Sequence, residues 1–141
     1  MRMLDTNVLA ALAGGEPSVL ERFQLAQRAG EAFCVSAIVV GEARHGIAKR
    51  PECRGAVRTA ALLDVLETKP WDQTIAATCG KVRWRQQRLG RQLTPNDTLI
   101  AAHAIALDAT LVSDDRAFER VEGLKLENWL APGAALEERD G

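Results

Sequence analysis

Several features that define familiar protein classes are missing from this 141-residue chain. It has no CxxC pair, and its cysteines, Cys34, Cys53 and Cys79, are odd in number and widely spaced. This pattern argues against a disulfide framework or a zinc knuckle and favours reduced, mostly buried thiols. No apolar run is long enough to span a bilayer. The opening MRMLDTNVLA interrupts the apolar stretch that a signal peptide needs, so we expect a cytoplasmic protein with no membrane partner.

The chain also lacks a strong net charge and a Ser/His/Asp signature. A formal charge of −1 does not by itself point to a nucleic-acid partner, so local charge must carry that inference. The hydrophobic content of 47% and charged content of 26% are typical of a globular protein, and the length suits one domain. We predict a single domain over residues 1–130 and a polar C-terminal tail over residues 131–141.

Short apolar runs alternate with helical patterns along the chain. Strands are predicted at residues 1–4, 32–35, 68–71, 109–112 and 124–126. Helices are predicted at residues 7–13, 17–29, 37–49, 55–67, 73–89 and 95–107, with Ser36, Asp72 and Thr94 as N-caps. Strands that alternate with helices predict an α/β sandwich, in which a central parallel sheet is flanked by helices through right-handed crossovers.

Four acids occupy junctions between these elements. Asp5 ends the first strand, Asp115 follows the fourth, and Glu42 and Asp97 lie near the starts of helices. In a parallel sheet such positions share one edge, where ligands and metals bind. Two like charges about 5 Å apart repel by roughly 3 kcal/mol at an effective dielectric of 20, so the cluster must hold protons or a cation.

Hard oxygen ligands without a histidine or cysteine cluster favour Mg²⁺, with Mn²⁺ as a substitute, over zinc. Such an ion activates water and neutralises charge on a phosphodiester, and this chemistry needs no nucleophilic side chain. The acids other than Asp5 each have a structural interpretation as well. An acid such as Asp97 stabilises the dipole of its helix, and Glu42 could lie on an exposed helix face. The remaining two, Asp114 and Asp115, could form a turn. Asp5 has no such interpretation, because an unpaired carboxylate on a central strand is costly.

Three segments resemble the PIN domain family, and within it the VapC toxins of bacterial toxin–antitoxin pairs. These are LDTNVL, VSAIVVGEARHG and TPNDTLIAAHAIALDATLVSDDRAFERVEGLKLENW, in that order. The similarity extends to Trp129. It implies a PIN-like α/β/α sandwich and a magnesium-dependent endoribonuclease acting on RNA. It also implies a homodimer inhibited by a small VapB-type antitoxin.

The resemblance also assigns roles to individual residues. Asp5, Glu42, Asp97 and Asp115 match the family's acidic positions, as catalytic and metal-binding residues. The LVSDD segment aligns Asp115 with the fourth acid and leaves neighbouring Asp114 as the alternative. Hydrogen bonds that orient the carboxylates are expected from Thr6, Asn7 and Ser113.

The helix before Asp97 is basic, with five cations and no acid between residues 81 and 91. Lys81, Arg85 and Arg88 share one side and are candidate contacts to the RNA backbone, although a solvated helix face explains them equally well. A neighbouring apolar stripe is predicted to comprise Ile75, Cys79, Val82 and Leu89. Trp84 lies off this stripe, which suggests an interface with a second subunit or the antitoxin, or a base-stacking platform.

Other functions fit the sequence less well. His103 is expected to pack inside its helix, and neither it nor His45 has neighbouring ligands. A phosphotransfer receiver would need a partnered lysine after a late strand, and a haloacid dehalogenase would need DxD where this chain has DTN. The remaining alternative is a PIN-fold binding or regulatory module that acts with its partner in a DNA-bound complex. The presence of all four acids favours the enzyme.

Overall fold

A central parallel sheet flanked by helices organises residues 1–130, the part of the chain that the computed structural model describes. The strands are β1 (Arg2–Leu4), β2 (Phe33–Ser36), β3 (Glu67–Lys69), β4 (Thr110–Val112) and β5 (Lys125–Glu127). The helices are α1 (Thr6–Ala13), α2 (Pro17–Arg28), α3 (Ala37–Lys49), α4 (Arg54–Val65), α5 (Gln73–Arg88) and α6 (Pro95–Ala106), with a 3₁₀ helix at Arg116–Arg120. The predicted α/β sandwich is confirmed, and the predicted tail at 131–141 lies outside the described residues.

The order of the strands creates a switch point beside β1. The sheet runs β3-β2-β1-β4-β5 and every pair is parallel, with Met3 of β1 opposite Cys34 of β2 and Leu111 of β4. The chain moves outward from β1 to β3 and then returns to place β4 and β5 on the other side of β1. In open α/β sheets this reversal leaves a crevice at the carboxyl ends of the strands, where ligands bind.

The predicted N-caps are confirmed. The Ser36 hydroxyl accepts a hydrogen bond from the Ile38 amide at 3.1 Å, and the Asp72 carboxylate accepts one from the Thr74 amide at 3.0 Å. The Thr94 hydroxyl accepts one from the Asp97 amide at 3.3 Å. Each cap satisfies an amide that the first turn of a helix leaves without a partner.

The prediction is wrong around the third strand. Glu67, expected to end a helix, lies opposite Cys34 in β2, and the strand ends at Lys69 rather than at residue 71. Leu66 is already extended, and Pro70 has no amide hydrogen to continue the ladder. Pairing with β2 sets these limits, and the local hydrophobic pattern contains no information about that pairing.

One hydrophobic core runs from Met3 in β1 to Trp129 after β5. Cys34 is buried within it, but Cys79 is half-buried and Cys53 is exposed, so the prediction of mostly buried thiols is wrong. The Cys53 sulfur caps α4 by accepting a hydrogen bond from the Ala56 amide at 3.3 Å. None of the helices within residues 1–130 combines the length and apolarity needed to cross a bilayer.

A charged cluster around Glu127 ties the first and last strands to α2. The Arg2 guanidinium donates two hydrogen bonds of 2.9 Å to the Glu127 carboxylate, and the Trp129 indole donates another of 2.9 Å. The Arg22 guanidinium lies 3.7 Å from the same carboxylate and 5.8 Å from the Trp129 ring centre. Burial raises the pKa of Glu127, but these hydrogen bonds and the two positive charges outweigh burial and leave the pKa lowered.

Candidate active site

Asp5 lies directly after β1, at the switch point of the sheet. Its side chain is only 7% exposed. One carboxylate oxygen accepts a hydrogen bond from the Thr6 amide at 2.8 Å, and the other accepts one from the Ser113 hydroxyl at 2.7 Å. The first of these bonds caps the N-terminus of α1, so the prediction that Asp5 has no structural role is wrong. The Asp5 amide donates to the Val112 carbonyl of β4 at 3.0 Å, which holds the residue between the two central strands.

The surroundings of Asp5 disfavour its charged form. Burial raises the pKa of the Asp5 carboxyl, the hydrogen bonds from Ser113 and Thr6 lower it in part, and the charges of Glu42 and Asp115 raise it further. A positive charge nearby would favour the ionised form of this carboxyl, and a bound cation would supply one.

Glu42 reaches the same edge from the second turn of α3, and neighbouring side chains hold both of its carboxylate oxygens. The Thr6 hydroxyl donates to one oxygen at 3.1 Å, and the Asn96 amide donates to the other at 3.4 Å. Thr6 therefore contacts Asp5 and Glu42 together. Asn96 is absent from the residues predicted above, because an asparagine between Pro95 and Asp97 is indistinguishable in sequence from an ordinary first-turn residue.

Asp97 and Asp115 face each other across the edge of the sheet. Burial raises the pKa of the Asp97 carboxyl, the Thr94 hydroxyl lowers it, and both the charges of Asp115 and Asp5 and a hydrogen bond with the Asp115 carboxyl raise it. Asp115 also caps the 3₁₀ helix by accepting a hydrogen bond from the Ala117 amide at 2.9 Å. Asp115 therefore both caps the 3₁₀ helix and places a negative charge near Asp5 and Asp97.

The Asp114 side chain makes a different contact from that of Asp115. Its carboxylate accepts a hydrogen bond of 3.3 Å from the Asn7 amide group, whereas it is the charge of Asp115 that, in addition to burial, raises the pKa of both Asp5 and Asp97. Ser113, by contrast, donates to Asp5 and accepts from the Asp115 amide at 3.1 Å. The geometry therefore favours Asp115 over Asp114 as the fourth acid, and Asn7 orients Asp114 rather than one of the four.

The donors at this edge have the chemistry that Mg²⁺ prefers, since carboxylates converge there without a thiolate or imidazole. Within residues 1–130, no three acidic, histidine or cysteine side chains come close enough together to ligate one ion directly. Mg²⁺ commonly binds through one or two carboxylates and keeps several waters.

The basic helix is α5, and its exposed side carries the predicted cations. Lys81, Arg85 and Arg88 are all exposed, and Arg85 lies 3.7 Å from the Glu122 carboxylate. The predicted apolar stripe is wrong at Leu89, which follows the last turn of the helix and is 45% exposed. Gln86 lies in the stripe instead. It is buried, and its side-chain amide donates hydrogen bonds to the carbonyls of residues 91 and 120.

Trp84 and the histidines lie apart from the acids. Trp84 is 61% exposed on α5, so it does not belong to the core. His103 is fully buried, and its Nδ1 lies 2.8 Å from the Ser36 hydroxyl, which confirms that it packs within the fold. Burial lowers the pKa of His103, which favours the neutral ring. His45 is exposed.

Most of the chain is similar to known proteins of one family. The PIN domain family model matches residues 2–124. The tRNA(fMet)-specific endonuclease VapC of Shigella flexneri is 37% identical over 133 residues, which cover 90% of this chain and 96% of that protein. Ribonuclease VapC2 of Haemophilus influenzae is 38% identical over 134 residues, with coverages of 91% and 97%.

A solved structure is similar over the same extent. The chain superposes with a TM-score of 0.82 on a crystal structure of VapBC2 from Rickettsia felis bound to a DNA fragment from the promoter. The identity is 30%, and the match covers 91% of this chain and 98% of the other. The residues that the PIN domain family model matches include Asp5, Glu42, Asp97 and Asp115.

Proposed function

The chain belongs to the PIN domain family, and from that premise we propose that it is a magnesium-dependent endoribonuclease, the toxin of a toxin–antitoxin pair. The observation that carries the proposal is the buried Asp5 carboxylate at the switch point, facing Glu42 and Asp115. Relatives named as ribonucleases that match nearly the whole chain support RNA as the substrate.

We propose that Asp5, Glu42, Asp97 and Asp115 would hold the metal ion. When bound, Mg²⁺ supplies an activated water and positive charge for the phosphodiester. Thr6 fixes Asp5 and Glu42 in one orientation, and Ser113 does the same for Asp5 and the Asp115 backbone. On the exposed side of α5, Lys81, Arg85 and Arg88 position the RNA backbone without reading its sequence.

A cleavage assay with the purified chain tests the metal requirement. We expect a pool of RNAs that includes tRNA to contain a substrate that is cut in Mg²⁺ or Mn²⁺, remains intact in EDTA, and is cut again when excess Mg²⁺ is restored. The reason is that four carboxylates without a cation repel both one another and the phosphodiester. Cleavage that continues undiminished in EDTA contradicts the proposal.

The proposed partner is a small VapB-like antitoxin that inhibits cleavage. The Rickettsia felis VapBC2 complex on promoter DNA keeps a second function open, in which the chain acts mainly as a regulatory module within a DNA-bound complex. The two functions separate in one experiment. A chain that forms the complex on DNA but cuts no RNA in Mg²⁺ is the regulatory module.

Trp84 is proposed to lie in an interface of a homodimer or of the antitoxin complex. We expect Trp84→Ala to leave the unfolding free energy within about 0.5 kcal/mol of the wild type, because the ring is largely exposed. Sedimentation and antitoxin titration should show weaker association, by about tenfold or more, since exposed tryptophans are frequent binding hot spots. Unchanged dimerisation, antitoxin binding and RNA cleavage would rule out a role for Trp84.

A further inference from the structure

A buried histidine lies where α6 meets the start of α3, apart from the four acids. His103 is completely buried on α6, and its Nδ1 lies 2.8 Å from the hydroxyl of Ser36. Ser36 is itself fully buried and caps α3 by accepting a hydrogen bond from the Ile38 amide at 3.1 Å. The contact therefore ties α6 to the residue at which α3 begins.

Packing alone does not explain a histidine at this position. A leucine would fill the core there without bringing a polar atom, whereas the Nε2 of His103 is buried and has no hydrogen-bond partner within residues 1–130. A buried polar atom without a partner costs free energy. Burial also lowers the pKa of His103 and so disfavours a charged role for the ring. The contribution that distinguishes this histidine from an apolar residue is its hydrogen bond with Ser36.

A second side-chain contact joins α3 and α6 at the candidate active site. The Asn96 amide, in the first turn of α6, donates a hydrogen bond of 3.4 Å to the Glu42 carboxylate. The earlier residue of α6 thus contacts the later residue of α3, so the two helices run in opposite directions where they meet. Six positions separate Ser36 from Glu42, and seven separate Asn96 from His103. At a rise of about 1.5 Å per residue these spacings are about 9 and 10.5 Å, so both contacts form in one register.

The contact at Glu42 tolerates little movement of the helices. Its length of 3.4 Å is already beyond the usual range for a hydrogen bond. A slide of α3 along α6 by one residue, about 1.5 Å, would separate the Asn96 amide from the carboxylate. The contact between His103 and Ser36 is shorter and fully buried, so it is the stronger of the two. It therefore sets the register in which the weaker contact forms.

A separate hydrogen bond fixes α6 without involving α3. The Trp71 indole, two residues after β3, donates a hydrogen bond of 3.0 Å to the Leu99 carbonyl in the middle of α6. This bond holds α6 against the segment between β3 and α5. With α6 fixed in this way, the contact between His103 and Ser36 determines where the start of α3 lies.

We infer that His103 is a positioning residue of the candidate active site. It holds the start of α3 through Ser36, and the resulting register places the Glu42 carboxylate at Asn96, the neighbour of Asp97 in the chain. In this role the ring contacts neither a metal ion nor RNA. The inference rests on the proposed function, which it deepens by naming a buried residue on which the position of one proposed metal ligand depends.

Spectra of the metal-free protein test the effect on Glu42 without cleavage. The full chain, labelled with ¹⁵N, is compared in EDTA as wild type, His103→Leu and His103→Asn. We expect His103→Leu to shift the side-chain amide of Asn96 and the backbone amide of Glu42. His103→Asn should leave both signals near their wild-type positions, because its side-chain amide can still form a hydrogen bond with Ser36 in place of Nδ1.

Mn²⁺ binding measures the consequence for the metal site. His103→Leu should bind Mn²⁺ about tenfold more weakly than the wild type and His103→Asn within about twofold of it, since groups that orient metal ligands commonly contribute 10–100-fold to affinity. The control is Ile100→Val, which removes one methylene group from a buried residue of the same helix. It loosens the core without removing a hydrogen bond and should leave Mn²⁺ affinity unchanged.

Several results overturn the inference. If folded His103→Leu keeps the wild-type signals of Asn96 and Glu42 and the wild-type Mn²⁺ affinity, the ring does not position Glu42. If Ile100→Val weakens Mn²⁺ binding as much as His103→Leu, or if His103→Asn binds as weakly as His103→Leu, the ring acts only through core packing. Should His103→Leu fail to fold, His103→Gln takes its place, because its longer side chain carries the amide beyond the position of Nδ1.

Cleavage of RNA separates this inference from the proposed function. We expect His103→Leu to cut more slowly than the wild type at limiting Mg²⁺ and to recover when Mg²⁺ is in excess, because only the placement of a metal ligand is changed. If His103→Leu and the wild type cut equally at limiting Mg²⁺, the inference is wrong and the proposed ribonuclease stands. If the wild type cuts no RNA, the proposed ribonuclease is wrong, and the metal-free spectra still decide the role of His103.

Discussion

Asp5→Asn is expected to reduce magnesium-dependent RNA cleavage by at least about 100-fold. Loss of a group that merely orients a metal ligand commonly costs 10–100-fold, and Asp5 is proposed to be a ligand itself. The amide keeps the shape of the carboxylate and can still accept the hydrogen bond from the Thr6 amide, so the helix cap survives. The measurement is the initial rate of cleavage at saturating Mg²⁺.

The same variant should fold at least as well as the wild type in EDTA. Burial raises the pKa of the Asp5 carboxyl, which means that the folded chain disfavours its negative charge, and asparagine removes that cost. Thermal unfolding in EDTA should therefore show an equal or higher midpoint. Asp64→Asn, at an exposed position of α4, is the matched control and should cleave normally. Equal cleavage by Asp5→Asn and Asp64→Asn would show that the site is placed wrongly.

The second large effect is expected on stability rather than on activity. Glu127→Gln should lower the free energy of unfolding at pH 7 by about 2 kcal/mol, because it removes the negative charge that the partly buried guanidinium groups of Arg2 and Arg22 share, while Arg2 keeps its ion pair with Glu31. That loss is a large fraction of the 5–15 kcal/mol that is typical for a domain. Urea denaturation measures it, and Glu119→Gln, at an exposed position, is the control.

The effect of Glu127→Gln should depend on pH with a definite sign. The pKa of Glu127 is lower in the folded chain than its ordinary value of 4.5, so its contribution to stability is present above that value. The contribution is lost as the pH falls below 4.5 and through the lowered pKa. The difference between wild type and variant should therefore be large at pH 7 and shrink in strong acid. A difference that is constant with pH would refute this role of the ion cluster.

Asp5 shows how much of this molecule was predictable from sequence. Leu4, Asp5 and Thr6 mark the change from strand to helix within three residues, and strands that alternate with helices imply a parallel sheet with a shared carboxyl edge. The order β3-β2-β1-β4-β5 places Asp5 at the switch point. The sequence alone does not contain that order, because it depends on which strands pair.

Asn96 and Gln86 show what local patterns leave out. The hydrogen bond from Asn96 to Glu42 joins side chains that are 54 positions apart, and nothing around either residue signals it. Gln86 occupies a core position on α5, where its Nε2 donates hydrogen bonds to the carbonyls of Arg91, five residues on, and of Arg120, whereas a hydrophobic periodicity favours Leu89. Hydrogen bonds to groups outside the helix therefore override the apolar pattern at Gln86.

Paramagnetic broadening by Mn²⁺ tests most directly whether the acids at the carboxyl edge of the sheet form the metal site. Substoichiometric Mn²⁺ is added to the ¹⁵N-labelled full chain, and the loss of each amide signal is recorded. Broadening is expected at Thr6, Glu42, Asp97 and Asp115, and in Asp5→Asn it should need at least about tenfold more Mn²⁺. Broadening centred elsewhere in the chain, or at these amides with equal strength in Asp5→Asn, would contradict the assignment.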